Sequence, residues 1–172
     1  DLATVDAGIM ELEMGDVAVE QIMRSAADLI SERLREHQIA LKLDVSSAPS
    51  GFRADENRVR QILFNLLSNA ANYAPERSTI VLGCERAPGG VTFFVHDDGP
   101  GIPADVMDTI FRRFEPRANG GGRRGAGLGL AIVKSFMELH GGTVEIETGA
   151  GIGTTVTCRF PIGPEGYLAA AE

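Results

Sequence analysis

The sequence lacks any apolar run long enough to cross a bilayer. Its longest uncharged stretches, such as residues 126–133 and 79–84, fall well short of the roughly 20 residues a spanning helix needs, so no membrane contact is expected. Cysteine is scarce. Cys84 and Cys158 each sit in a strand-like run with no CxxC or Cys/His companion, which excludes a zinc or dithiol site and reads as buried free thiols. An excess of basic charge is also missing: 16 Lys and Arg stand against 24 Asp and Glu, a formal net charge of −8. That balance argues against nucleic acid as a partner, because such binding draws on cations placed on phosphates. The chain opens at Asp1 with no Met, no basic n-region and no signal-like stretch, so it reads as a piece of a longer, cytoplasmic protein, any membrane anchor lying in other segments. Internal repeats are absent.

What is there suits one folded domain. The 172 residues are 44% hydrophobic and 23% charged, ordinary values for a globular protein. Leu2, Val5, Ile9 and Leu12 recur at helical spacing, so residues 1–14 read as the tail of an amphipathic helix. A second helix is expected from Val19, Ile22, Met23, Ala26, Ala27, Ile30 and Leu34, ending near His37. A strand over 39–45 follows, then a loop at 46–51. A third helix is expected from about Asp55 to Tyr73, a hairpin over 79–85 and 91–97, and a short helix from Pro103 to about Phe111. Residues 115–127 carry no periodic pattern; a helix over 128–139 and strands over 143–148 and 154–160 close the chain. Helices interleaved with hairpin-linked strands predict an α/β two-layer sandwich: a mixed, mostly antiparallel sheet covered by about three helices on one face.

Three segments carry chemistry. In the third helix, Gln61, Asn65 and Asn69 recur every four residues and share one edge beside the apolar stripe. Asn is a poor residue in a helix interior, at roughly 0.6 kcal/mol against Ala, so the row is either a solvated polar edge or a set of amides facing a ligand. An amide oxygen suits Mg²⁺, which takes one or two protein oxygens beside phosphate and water. The second segment is Asp97 with Gly99 and Gly101 at the end of a strand. It is either a common Asp-Gly turn or a carboxylate placed to accept the exocyclic amine of adenine. The third is the Gly-rich run 120–130, which leads into a helix; between residues 112 and 124 five arginines face only Glu115. Free backbone N–H groups at a helix start and a local excess of cations suit a polyphosphate, unless the loop is simply solvated. No Gly-Lys-Ser/Thr occurs, so the segment is not a P-loop, and the Rossmann spacing is not met.

In order and spacing these segments resemble the boxes of the gyrase/Hsp90/histidine-kinase/MutL ATPase superfamily, and most closely its sensor histidine kinases, over about residues 16–162. QILFNLLSNAANY at 61–73 is similar to the N box, DDGPGI at 97–102 to the first glycine box, and GAGLGLAIVK at 125–134 to the second. FRRF at 111–114 resembles the phenylalanine box, GTTVTCRFP at 153–161 the closing strand, and LATVDAG at 2–8 the end of the dimerisation hairpin. The resemblance implies a Bergerat-type ATP-binding fold with ATP and Mg²⁺ as cofactors. It divides the chain into hairpin end and linker (1–15), ATP-binding domain (16–162) and tail (163–172).

It also implies roles. Asn69 would hold Mg²⁺, Asn65 would support the phosphates, Asp97 would read adenine, and Thr154 would assist at the base through water. Gly125, Gly127 and Gly129 would line the phosphates under a lid anchored by Phe111 and Phe114, with Arg113, Arg123 or Arg124 approaching the γ-phosphate. Asn72, Tyr73, Gly99, Gly101, Ile102, Leu128 and Leu130 complete the implied nucleotide contacts, and Gln61 and Arg113 join Asn65 as the implied catalytic set. ATP-hydrolysing relatives place a glutamate where this chain has Gln61, and a neutral amide cannot act as a base. Transfer to an outside histidine is therefore implied over hydrolysis. Asn72 stands where many such kinases carry Lys, Arg or His, which leaves a pseudokinase scaffold as the alternative. His37, His96 and His140 lack the acceptor context and read as structural. The acceptor would sit on the chain's own dimerisation hairpin in a homodimer, with a response regulator or phosphotransfer protein downstream. A serine kinase of the anti-sigma type ranks behind both.

Overall fold

The computed structural model describes residues 11–108 and 126–163, with the backbone alone at 126–128. Strand β1 (Met14–Ala18) leads directly into helix α1 (Val19–Glu36), followed by β2 (Ala40–Ser47), β3 (Gly51–Asp55) and α2 (Glu56–Tyr73). The hairpin β4 (Thr79–Ala87) and β5 (Gly90–Asp97) precedes a single turn, α3 (Ala104–Met107). Helix α4 (Ala126–Leu139) and the hairpin β6 (Thr143–Gly149) and β7 (Gly153–Pro161) complete the described chain.

Five strands form one sheet in the order β2-β4-β5-β7-β6, in which β2 and β4 run parallel and every other pair antiparallel. The parallel pair needs a crossover, and α2 lies within it. Alternation along the strands sends Ile80, Leu82, Val91, Phe93, Val95, Val156, Cys158 and Phe160 into the core. Against that face pack α1, through Ile22, Ala26 and Ile30, and α4, through Val133 and Met137, with α2 between them. The expected two-layer sandwich is the observed fold. Both cysteines are buried and unpaired, and burial pushes each thiol up to about 12.

The sequence reading missed one element pair. β1 and β3 form a separate two-stranded ribbon, with Val17 opposite Phe52. Residues 11–13 are in no regular element and Met14 opens a strand, so the helix expected over 1–14 is absent wherever the chain is described; residues 1–10 lie outside it. The loop expected at 46–51 is shorter, because Ser46 and Ser47 finish β2 and Gly51 starts β3. Phe52 secures the ribbon: its ring lies 5.9 Å from that of Phe93 and 5.3 Å from that of Phe160, a tilted aromatic cluster that ties ribbon to sheet.

Helix ends follow local chemistry. Asp55 caps α2 by accepting the Arg58 N–H at 3.1 Å, and Pro75 follows its last turn. α4 starts at Ala126, two residues ahead of expectation, and ends on Gly141 at φ 73°. There the Gly142 N–H reaches back to the Met137 carbonyl at 2.8 Å, the left-handed glycine stop that the Gly-Gly pair announces. The helix expected from Pro103 to Phe111 is seen as Ala104–Met107, and residues 109–111 lie outside the description.

Candidate functional site

The edge of α2 faces the start of α4, and the amides interlock there. Gln61 donates Nε2–H to Asn65 Oδ1 at 2.9 Å, and Asn65 donates Nδ2–H to the Gly129 carbonyl at 3.3 Å. Asn65 thus holds α4's first turn against α2, and its oxygen is occupied. Asn69, one turn on, is 3% exposed, and its Oδ1 is buried without a hydrogen-bond partner among the described residues. A buried amide oxygen left unpaired costs roughly 1–3 kcal/mol. Such an oxygen is free to accept a hydrogen bond or to coordinate a cation.

The second wall is the end of the sheet. Register places Asp97 of β5 opposite Thr154 of β7, and Thr154 opposite Thr148 of β6. Thr148 accepts the Ile102 N–H at 2.8 Å, and its hydroxyl lies 2.7 Å from that of Thr154. Asp97 is 2% exposed. One carboxylate oxygen accepts the Gly99 N–H at 2.9 Å; the other has no partner among the described residues. Burial raises the Asp97 carboxyl above the ordinary carboxylate value, with the Gly99 N–H pulling the other way.

Glycine lets neighbouring backbone segments close up on this wall. A Cβ on Gly99 would stand 2.4 Å from the Tyr73 carbonyl oxygen, and one on Gly153, at φ 74°, would stand 2.1 Å from that of Asp97. Neither place admits a side chain.

The structure therefore brings together Gln61, Asn65, Asn69, Tyr73 and Gly129 on one side and Asp97, Gly99, Gly101, Ile102 and Thr154 on the other. Leu130 is fully buried in the hydrophobic core, so its side chain serves packing. Asn72 is turned to another partner: its Oδ1 accepts from Arg33 of α1. Arg113, Phe114, Arg124 and Gly125 lie outside the described residues, as do Phe111 and Arg123, while Gly127 and Leu128 are described by backbone only, in α4's first turn. No group of three or more His, Cys, Asp or Glu side chains able to hold a metal occurs among the described residues. Two members of the neighbourhood escaped the sequence reading. Thr148 was findable, since a hairpin around Gly149–Gly153 puts it across from Thr154; Arg33 left no signal in its own helix.

The histidines have structural partners. His140 donates Nδ1–H to the Phe136 carbonyl at 2.8 Å and accepts the Asp55 N–H at Nε2 at 3.2 Å. His96 lies between Thr155 and Asp98, at 2.8 Å from each. His37 closes α1.

Fold and site define the class, an ATPase domain of helices on a mixed sheet. The sequence profile described as "Histidine kinase-, DNA gyrase B-, and HSP90-like ATPase" matches residues 54–164, and the chain belongs to that family. It is 37% identical to the sensor protein DivL of Caulobacter vibrioides, over 94% of this chain and 20% of that one. It is 36% identical to the circadian input-output histidine kinase CikA of Synechococcus elongatus, over 94% and 22%. It thus spans about a fifth of the length of these curated relatives. Among solved structures it is similar to full-length ShkA in complex with AMPPNP, at 35% identity and TM-score 0.82, over 98% of this chain and 34% of that one. The catalytic domain of the histidine kinase ThkA aligns at 26% identity and TM-score 0.75, over 90% and 99%. No described helix is long and apolar enough to cross a membrane.

Proposed function

We propose that this chain is the ATP-binding catalytic unit of a sensor histidine kinase, directing the γ-phosphoryl group of ATP to a histidine on a dimerisation hairpin for relay to a response-regulator aspartate. The carrying observation is Asp97: a buried carboxylate with one oxygen that has no partner among the described residues, at the end of the sheet where glycine lets the backbone pack closely. An adenine amine is a donor of the right kind for that oxygen, and the Thr148–Thr154 hydroxyl pair flanks it. Asn69 Oδ1 suits Mg²⁺, a hard cation that would complete its shell with phosphate and water. When bound, Mg²⁺ supplies charge neutralisation on the phosphates.

The chain's own residues do the positioning on which phosphoryl transfer depends. Asn65 fixes the start of α4, whose backbone N–H groups are suited to phosphate. Gln61 orients Asn65 and, being a neutral amide, takes no proton from water, which favours transfer over hydrolysis. In this reading Gly125, Gly127 and Gly129 would line the phosphates under a lid that Phe111 and Phe114 anchor, with Arg113, Arg123 or Arg124 approaching the γ-phosphate and Leu128 beside the nucleotide. On the same reading residues 1–15 would be hairpin end and linker, 16–162 the ATP-binding domain and 163–172 a tail, although β1 already takes Met14 and Gly15 into the folded unit. The unit works in the cytoplasm, paired through the hairpin in a homodimer.

The alternative, a pseudokinase scaffold of the same fold, draws on Asn72, a neutral residue whose oxygen is already taken by Arg33. Calorimetric titration with a non-hydrolysable ATP analogue and Mg²⁺, followed by incubation with ATP and a histidine-bearing hairpin, separates the two. Saturable binding that Asp97→Asn abolishes, with acid-labile phosphate on the hairpin, is the expected result. Binding without transfer would favour the scaffold, and no binding at millimolar nucleotide would sink the working-kinase assignment and leave the scaffold in front.

A further inference from the structure

The amide row on α2 ends in a charge that α2 does not carry. Arg33, half-buried on α1, donates from Nη1 to Ser68 Oγ at 3.0 Å and from Nη2 to Asn72 Oδ1. Both acceptors are neutral. No carboxylate forms an ion pair with Arg33 among the described residues, although Glu36 follows it by one helical turn. Two of its five guanidinium N–H groups are engaged there, which leaves three to donate elsewhere. By contrast, Arg24, Arg53 and Arg60 each face an Asp or Glu.

Geometry decides where this cation lies. At 100° per residue, Asn72 stands within roughly 20° of Asn65 around the helix axis, and three residues past Asn69 is a rise of about 4.5 Å. The guanidinium, held by Ser68 and Asn72, therefore lies close to the line of Asn65 on the flank nearer α1, with Asn72 roughly 60° around the axis from Asn69. A cation fixed by two neutral side chains, about one turn from an uncommitted buried oxygen, forms half of a site for an anion that also carries a metal.

We propose that Arg33 binds the polyphosphate of the nucleotide, supplying from α1 the positive charge that Asn72 does not supply from α2, and so selects phosphorylated nucleotide over the bare nucleoside. This rests on the nucleotide reading above. Arg suits the task because its planar fork donates two parallel N–H groups to phosphate oxygens, while Ser68 and Asn72 hold the side chain in place beforehand. The assignment also weakens the scaffold alternative, since the missing charge is present in space though absent from the N-box sequence.

The test uses the 172-residue chain and two ligands, a non-hydrolysable ATP analogue with Mg²⁺ and adenosine, titrated against the parent, Arg33→Gln and Arg33→Lys. Gln keeps neutral donors for Ser68 and Asn72 without the charge. Arg33→Gln is expected to lose about tenfold in affinity for the ATP analogue and none for adenosine, and to show a shallower salt dependence. Arg33→Lys is expected to retain most of the analogue affinity. Equal affinity of parent and Arg33→Gln for the analogue overturns the proposal. So does a parallel loss for both ligands, which would mark Arg33 as a packing residue between α1 and α2. A parent that binds neither ligand removes the nucleotide reading itself, a result distinct from both.

Discussion

At Asp97, folding and the proposed adenine recognition pull in opposite directions, because the carboxylate that an adenine amine would need is one that burial disfavours. Its folded pKa is raised, so the group favours the native state at pH below the unfolded value of about 3.9 and opposes it once pH rises through the folded value. Asp97→Asn removes that ionisation and keeps an oxygen for the Gly99 N–H. The variant should melt at a higher temperature than the parent at pH 7 while losing nucleotide affinity, since its amide sets a donor against the adenine amine. Melting curves at pH 7 check the first part, and a lower midpoint would show that the carboxylate supports the apo fold after all. Asn69 is the companion case, a buried oxygen with no partner among the described residues that the proposed Mg²⁺ would occupy.

Between elements, His140 joins the end of α4 to the junction of β3 and α2 through two hydrogen bonds that require the neutral ring. A proton on Nε2 would face the Asp55 N–H, donor against donor. Burial lowers the His140 pKa, opposed by the Phe136 carbonyl and then by the Asp55 charge. With the folded value below the ordinary value of about 6.5, its contribution is present above that pH and is lost as pH falls through the region below it. The stability gap between the parent and His140→Gln should therefore shrink from about pH 7.5 to about pH 5.5, measured by urea denaturation. A gap that stays flat or widens toward acid would show that the ring is charged in the native state. The same junction positions the site, since Asp55 caps the helix that carries the amide row.

Across the whole molecule, the ribbon is the part that local pattern did not reveal, and Phe52 is its anchor. Phe52 is fully buried against Phe93 and Phe160, so Phe52→Ala should cost about 3–5 kcal/mol of unfolding free energy, read as a lower denaturation midpoint at unchanged slope. A cost under about 1 kcal/mol, the range of ordinary surface changes, would mean that the ribbon is not docked on the sheet in solution. The ribbon enters function through Asp55, its last residue.

The sequence by itself determined the sandwich, the three long helices, the two hairpins and the amide, aspartate and glycine positions. Periodicity, capping and turn chemistry are properties of neighbours along the chain. It left β1 and β3 unread because five-residue strands such as Met14–Ala18, with Val17 as the one buried position, carry no alternation. Their pairing is decided only when segments far apart in sequence meet, as Ala18 does with Gly51 and Met14 with Asp55, and as Asp16 and Arg53 do at 3.2 Å. Thr148 beside Thr154 and Arg33 on Asn72 belong to the same class. Each side chain is ordinary in its own element, and the chemistry arises only where packing fixes the distance between elements.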